Sequence, residues 1–204
     1  MLERLLAEQI PTGASLLEVG KLPGLDALRA VAVAGPEMPV GRGWYLGVLT
    51  DQDDPEYFKK YLGQADTDDG TCRGISAGIM HYEARSRASD PGKSLMLSIW
   101  GKDGKNRQIR WVHLGGFPDN PDESVLDRKS WLNIMFYAMF FQTLTKVDLD
   151  TWVDNEDLDP VHRGLNVALP LYDDAQGVHR AVLGGRWELA KSADPEYREF
   201  VGAA

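Results

Sequence analysis

The run WLNIMFYAMFF at 131–141 is the longest apolar stretch in the chain. As a helix rising 1.5 Å per residue it would span about 17 Å, well short of a bilayer core of about 30 Å. A helix that is apolar around most of its circumference must instead be buried on more than one side. A layer of other elements must therefore exist for it to pack on. The pattern predicts a helix over 131–144, with the acidic PDES segment ahead of it suiting the positive end of the helix dipole. With 204 residues, 43% of them hydrophobic and 26% charged, the chain is long enough to enclose such a core as one domain.

The partner layer is read from three kinds of segment. GWYLGVLT at 43–50 and KKYLGQAD at 59–66 are aromatic and aliphatic runs bounded by turn formers, which predicts a β-hairpin joined by the acidic DQDDPEYF. CRGISAGIMHYEARSRA carries Ile75, Ile79, Met80 and Tyr82 at helical spacing and predicts a helix that SDPG at 89–92 ends. KSLMLSIWG at 93–101 and RQIRWVHLGGF at 107–117 are expected as two more strands around the turn KDGKN. Residues 2–9 and 24–34 have helical patterning, separated by PTG and closed by Gly35-Pro36. The tail from 165 reads as short strands, with a last helical turn in DPEYREFV. The order β-β-α-β-β-α is that of an α+β domain. Its expected division is an N-terminal helical extension over 1–40, a core over 41–145, and an acidic loop with a C-terminal extension over 146–204.

Charge narrows the partners. The formal net charge is −9, unfavourable for a nucleic-acid binder, since phosphate contacts draw on Lys and Arg. The distribution is uneven: Lys59 to Arg110 holds ten basic and six acidic residues, whereas Asp119 to Asp159 holds three and ten. Nucleic acid is thus disfavoured, a small-molecule partner stays open, and no membrane association is expected. Cys72 is the one cysteine, so no intramolecular disulfide framework exists, which suits a reducing compartment. MLERLLAEQIPTG sets charges among its leucines, unlike a secretory signal, so an intracellular setting, cytoplasmic or nuclear, is expected.

Gly43-Trp44-Tyr45, followed by Tyr61-Leu62-Gly63-Gln64, a loop, Arg73 and a helix, resembles the GIY-YIG nuclease superfamily, as a degenerate member of eukaryotic or fungal type. The resemblance covers roughly 41–145, and KSLMLSIW is similar to a later strand of that family. It implies a GIY-YIG-like small sheet flanked by helices and nuclease-like hydrolysis of phosphodiesters. Tyr45 would be the general base or water-positioner, Tyr61 its phenolic neighbour and Arg73 the phosphate clamp. His81, eight residues after Arg73 and so about two turns along, would be a proton-transfer partner. Gly43, Gly63, Gln64 and Arg85 would be substrate-binding positions. The chemistry is sound in itself: phosphodiester hydrolysis needs an activated water and charge stabilisation on phosphoryl oxygens, and a guanidinium grips phosphate bidentately.

Each residue also has a plainer reading. Tyrosines are common in strands, Arg73 is a solvated helix-start residue, and His81 is a structural histidine. The family also implies a divalent metal held by a glutamate on a later helix. In WLNIMFYAMFFQTL no acid occurs, and Met135 and Phe136 stand where it would be. Glu83, Glu123 and Asp127 are the neighbouring acids, none in that context, so no metal ligand is assigned. His113, His162 and His179 lack zinc-site spacing. DLDTWVDNEDLD lacks the glycine and terminal glutamate of an EF-hand loop, and GKDGK lacks the spacing of a phosphate loop. Three functions follow: a nuclease-like enzyme with an incomplete metal site, a metal-independent enzyme acting on a small metabolite, or a noncatalytic binding module.

Overall fold

The computed structural model describes residues 15–17, 22–65, 74–86, 94–102, 104–116, 123–144, 149–150, 153, 158–159, 161, 163–166 and 189–202. The helix expected over 2–9 and the tail strands over 167–188 lie outside them. The elements are α1 (Leu25–Val31), β1 (Gly43–Asp51), β2 (Phe58–Ala65), α2 (Gly74–Ser86), α3 (Leu95–Trp100), β3 (Arg107–Gly116), α4 (Glu123–Phe140) and α5 (Pro195–Gly202). A 3-10 turn, Gly35–Glu37, follows α1. The chain is α+β, built on a three-stranded antiparallel sheet of order β2-β1-β3. No helix among the described residues is long and apolar enough to cross a membrane.

The segment 93–101, expected as a strand, is a helix over Leu95–Trp100. A short run apolar at nearly every position has no periodicity to separate the two forms. Locally, the Ser94 hydroxyl accepts from the Leu97 amide at 3.4 Å and starts a helical turn. Tertiary packing then buries Leu95, Met96, Leu97 and Ile99 together, which a strand with alternating faces would not do unless both faces were covered. The order is therefore β-β-α-α-β-α.

Every β1 position except Thr50 is buried, because helices cover both faces of the sheet. Tyr45, Leu49, Ile109 and Trp111 form one core with Ile75 and Ile79 of α2, Met96 and Leu97 of α3, and Tyr197 and Phe200 of α5. Trp44, Leu46, Val48, Leu62 and Val112 form the other with Leu28 of α1 and with Tyr137, Ala138 and Phe141 at the α4 side. Gly47 makes the first core possible, since a Cβ there would lie 2.8 Å from the Trp111 ring. A bulge between Trp44 and Tyr45 shifts the β1–β3 register.

The end of α4 explains how the apolar run is turned into the core. Thr143 N–H donates to Ala138 C=O at 3.0 Å and Gln142 N–H to Met139 C=O at 3.1 Å. With Gln142 at φ 50, this is a Schellman closure without its usual glycine. The turn seats Phe141 and Leu144 at 0% exposure. Glu123 and Asp127, expected ahead of the helix, fall within its first turns.

Both edges of the sheet are covered in part. At β3, Val33 and Trp111 exchange two backbone bonds of 2.8 Å. At β2, Lys60 N–H donates to Arg163 C=O at 2.7 Å, and Lys60 C=O accepts from Leu165 N–H at 2.8 Å. The Asn166 amide then mimics a peptide unit, accepting from Leu62 N–H and donating to Leu62 C=O, both at 2.9 Å. Such covering blocks edge-to-edge pairing.

Phe141→Ala is expected to cost about 3–5 kcal/mol in urea unfolding, as for a wholly buried ring, and half-buried Phe136→Ala less than about 2 kcal/mol. Equal losses would contradict the packing of α4 described here.

Candidate functional site

Tyr45 and Gly63 are direct cross-strand partners, as are Gly47 and Tyr61. Side chains alternate along a strand, so Tyr45 and Tyr61 lie on one face, the face covered by α2, α3 and α5. The phenols are brought together on neighbouring strands, and they are packed inward. Tyr45 is 1% exposed, meets Trp111 edge-on with centroids 5.5 Å apart, and lies over Gly63. A Cβ on Gly63 would stand 2.3 Å from the Tyr45 Cζ, so this glycine makes room for the ring. Tyr61 shares a hydroxyl–hydroxyl hydrogen bond of 3.2 Å with Tyr82 of α2, their rings edge-on at 5.9 Å.

Burial first, then the neighbouring Tyr82 and Tyr45, holds the Tyr61 phenol well above its ordinary range. It is a neutral donor and acceptor. His81 is exposed, and its ring lies edge-on to the Tyr82 ring with centroids 6.4 Å apart. Gln64 points to the opposite face, where its carbonyl accepts from Trp44 Nε1 at 3.2 Å. Gly43 sits against the backbone of Gly115 at the bulge. Arg73 lies outside the described residues, and so does the Arg85 side chain. His113, on the tyrosine face, places Nε2 3.1 Å from the Gly115 carbonyl oxygen, and burial lowers its proton affinity.

α4 packs on the face opposite the tyrosines, with Met135 buried and Phe136 half-buried. Its one buried amide, Asn133, leaves Oδ1 without a hydrogen-bond partner. Among the described residues no three His, Cys, Asp or Glu side chains gather as metal ligands.

A second polar centre escaped the sequence reading. Lys59 and Lys60 are consecutive in a strand, so they enter opposite faces, and both faces are covered. Lys59 ion-pairs with Asp194, lies 3.8 Å from Glu196 and sits 4.0 Å over the Tyr197 ring. Glu196 also binds Arg107 and accepts from the Tyr57 hydroxyl at 2.8 Å, while Arg107 Nε stands 3.6 Å from Asp51. Desolvation lowers the Lys59 ammonium, and Asp194 partly offsets it. The Tyr57 phenol is raised, by burial and then by Glu196. On the other face Lys60, 1% exposed, has Asp159 at 3.8 Å, and Asp159 is itself paired with Arg163. Burial pushes Lys60 down to about 8, with Asp159 opposing the shift. The available signal was the lysine pair inside an otherwise apolar hairpin. Its carboxylate partners lie roughly a hundred or more residues away in sequence, where spacing rules do not reach.

Two consequences can be measured. Gly63→Ala is expected to destabilise the fold by about 1–3 kcal/mol through overpacking. Tyr45→Phe would leave most of it, because Cζ and Cε2 at 2.3 and 2.4 Å still clash once the hydroxyl oxygen at 2.5 Å is gone; Tyr45→Leu would relieve more. Full rescue by the phenylalanine variant would refute this packing. Lys60 binds its proton less tightly when folded, so below about pH 8 both states are charged and burial is a constant cost. Between pH 8 and 10.5 the unfolded chain holds more protons, and stability rises with pH. Lys60→Met should remove that rise, on the order of 3 kcal/mol in total, while Asp159 keeps Arg163. Urea unfolding of both proteins from pH 7 to 10.5 tests this; parallel curves would contradict it.

Comparison with protein-family models, with curated proteins and with solved structures finds no match to this chain.

Proposed function

We propose that the chain is a GIY-YIG-like domain acting as a noncatalytic binding module, in which the hairpin tyrosines fasten the sheet to α2 instead of activating water. The likeness is supported by the pairing of the two signature strands, with Tyr45 opposite Gly63, both phenols on one face, and a helix next in the chain. The observation that carries the binding reading is the Tyr45 ring. It fills the space over Gly63 and is 1% exposed, whereas a residue that activates water must be within reach of both water and substrate. Tyr61 is likewise engaged by Tyr82, and its raised proton affinity leaves it no phenolate character near neutral pH.

Nuclease-like phosphodiester chemistry, or a metal-independent reaction on a small metabolite, is the second reading. It is favoured by the two phenols sharing a face beside α2, which Arg73 immediately precedes in the sequence. Cleavage assays on single- and double-stranded DNA and RNA with Mg²⁺ or Mn²⁺, beside Mn²⁺ calorimetry, separate binding module from nuclease. The binding reading expects no turnover above that of Tyr45→Phe and Arg73→Ala. Metal-dependent cleavage, lost in both variants while each stays folded, would establish the nuclease instead.

A further inference from the structure

The edge of β3 is only partly covered. Trp111 exchanges both peptide groups with Val33, and in an antiparallel ladder outward-facing residues alternate. The N–H and C=O of Ile109 therefore face the same outer edge. Continued for two more residues, the covering strand would place Gly35 against Ile109. It does not continue. Gly35-Pro36-Glu37 closes a 3-10 turn, with Glu37 N–H to Ala34 C=O at 3.0 Å and Met38 N–H to Gly35 C=O at 3.1 Å, and Pro36 has no N–H to offer. No backbone partner meets Ile109 at that edge among the described residues.

What remains is a groove of about 590 Å³. Ala34, Gly35, Trp100, Lys102, Gly104 and Ile109 are among the residues that line it. Lys105 and Arg110 line it, both exposed and without an ion-pair partner among the described residues. Lys102 and Arg107 add positive charge, though they are engaged by Glu199 and Glu196. Glu83 is the one carboxylate in the described lining. On a chain of net charge −9 this is a locally basic groove beside open peptide groups.

We propose that this edge docks a short, extended, acidic peptide segment of a partner protein. The segment would run antiparallel to β3 and take up the ladder where Val33 leaves it. The unpaired peptide groups select extended backbone, and Lys105 and Arg110 select acidic side chains, so backbone pairing supplies affinity and charge supplies choice. This rests on the binding-module reading and adds the class of partner to it.

The test is fluorescence anisotropy on the full chain with a labelled seven-residue peptide alternating Asp or Glu with Val. Saturable binding is expected, weakening as NaCl rises. It should fall by roughly tenfold or more in the folded double variant Lys105→Glu/Arg110→Glu. Two N-methylated peptides, modified at odd or at even residues, read the backbone. One is expected to lose binding and the other to keep it, because only alternate N–H groups face the ladder. Absence of saturation, indifference to the double variant, or equal binding of both N-methylated peptides would overturn the proposal. So would a single-stranded oligonucleotide of equal charge that binds more tightly with the same dependence on Lys105 and Arg110. Nucleic-acid cleavage with peptide docking intact would remove the noncatalytic reading and leave the edge site; no cleavage and no docking would remove the edge site alone.

Discussion

Two adjacent lysines set the terms for much of this fold. A three-stranded sheet covered on both faces leaves no solvent-facing side, so Lys59 and Lys60, pointing opposite ways, are both buried. A buried ammonium is costly unless a carboxylate reaches it. Asp194 and Glu196 at the start of α5 answer Lys59, and Asp159 answers Lys60. The strap at 163–166 and α5 are joined as well, through the Tyr197 hydroxyl bonded to the Gly164 carbonyl at 3.0 Å. Segments far along the chain are thereby tied to β2, and the electrostatics of one strand dictate where the C-terminal part must lie.

The same network limits what chemistry the tyrosine face can perform. Arg107, Lys59, Asp51 and Glu196 neutralise one another at one end of the face. Charge at that end is absorbed in structure. At the other end the phenols touch aromatic rings and one another's neighbours: Tyr45 meets Trp111, and Tyr61 meets Tyr82. Glycines at 47 and 63 serve this packing by admitting large rings against the strand backbone. A tyrosine–glycine repeat can therefore mark close ring-on-backbone packing as readily as substrate approach.

Edge control links the fold to partner choice. On β2 the cover is thorough: two backbone bonds from the strap, then the Asn166 amide in place of a third residue. On β3, among the described residues, it amounts to Val33, because a proline-containing turn carries the chain away. Lys and Arg at an exposed edge discourage self-pairing through like-charge repulsion, yet they leave that edge open to an acidic strand.

The sequence by itself determined the elements whose patterns are local. The apolar run at 131–141 required a helix packed on the sheet, though Leu132 stays exposed, and the paired aromatic runs with their turn formers required a hairpin. The strand at 107–116 and the closing helix in DPEYREFV were legible for the same reason: periodicity and punctuation lie within a few residues. No sequence rule set the register that places Tyr45 opposite Gly63, or said whether the ring would face solvent or core. Tertiary structure alone decided the helical state of 95–100, since a hexamer apolar at all but Ser98 suits either form until its neighbours are in place. It alone decided that Tyr45 is buried, because burial depends on α2, α3 and α5 covering that face. Only the folded chain could bring Asp159, Asp194 and Glu196 to lysines far earlier in the sequence, because ion pairing depends on distance in space and is blind to distance along the chain.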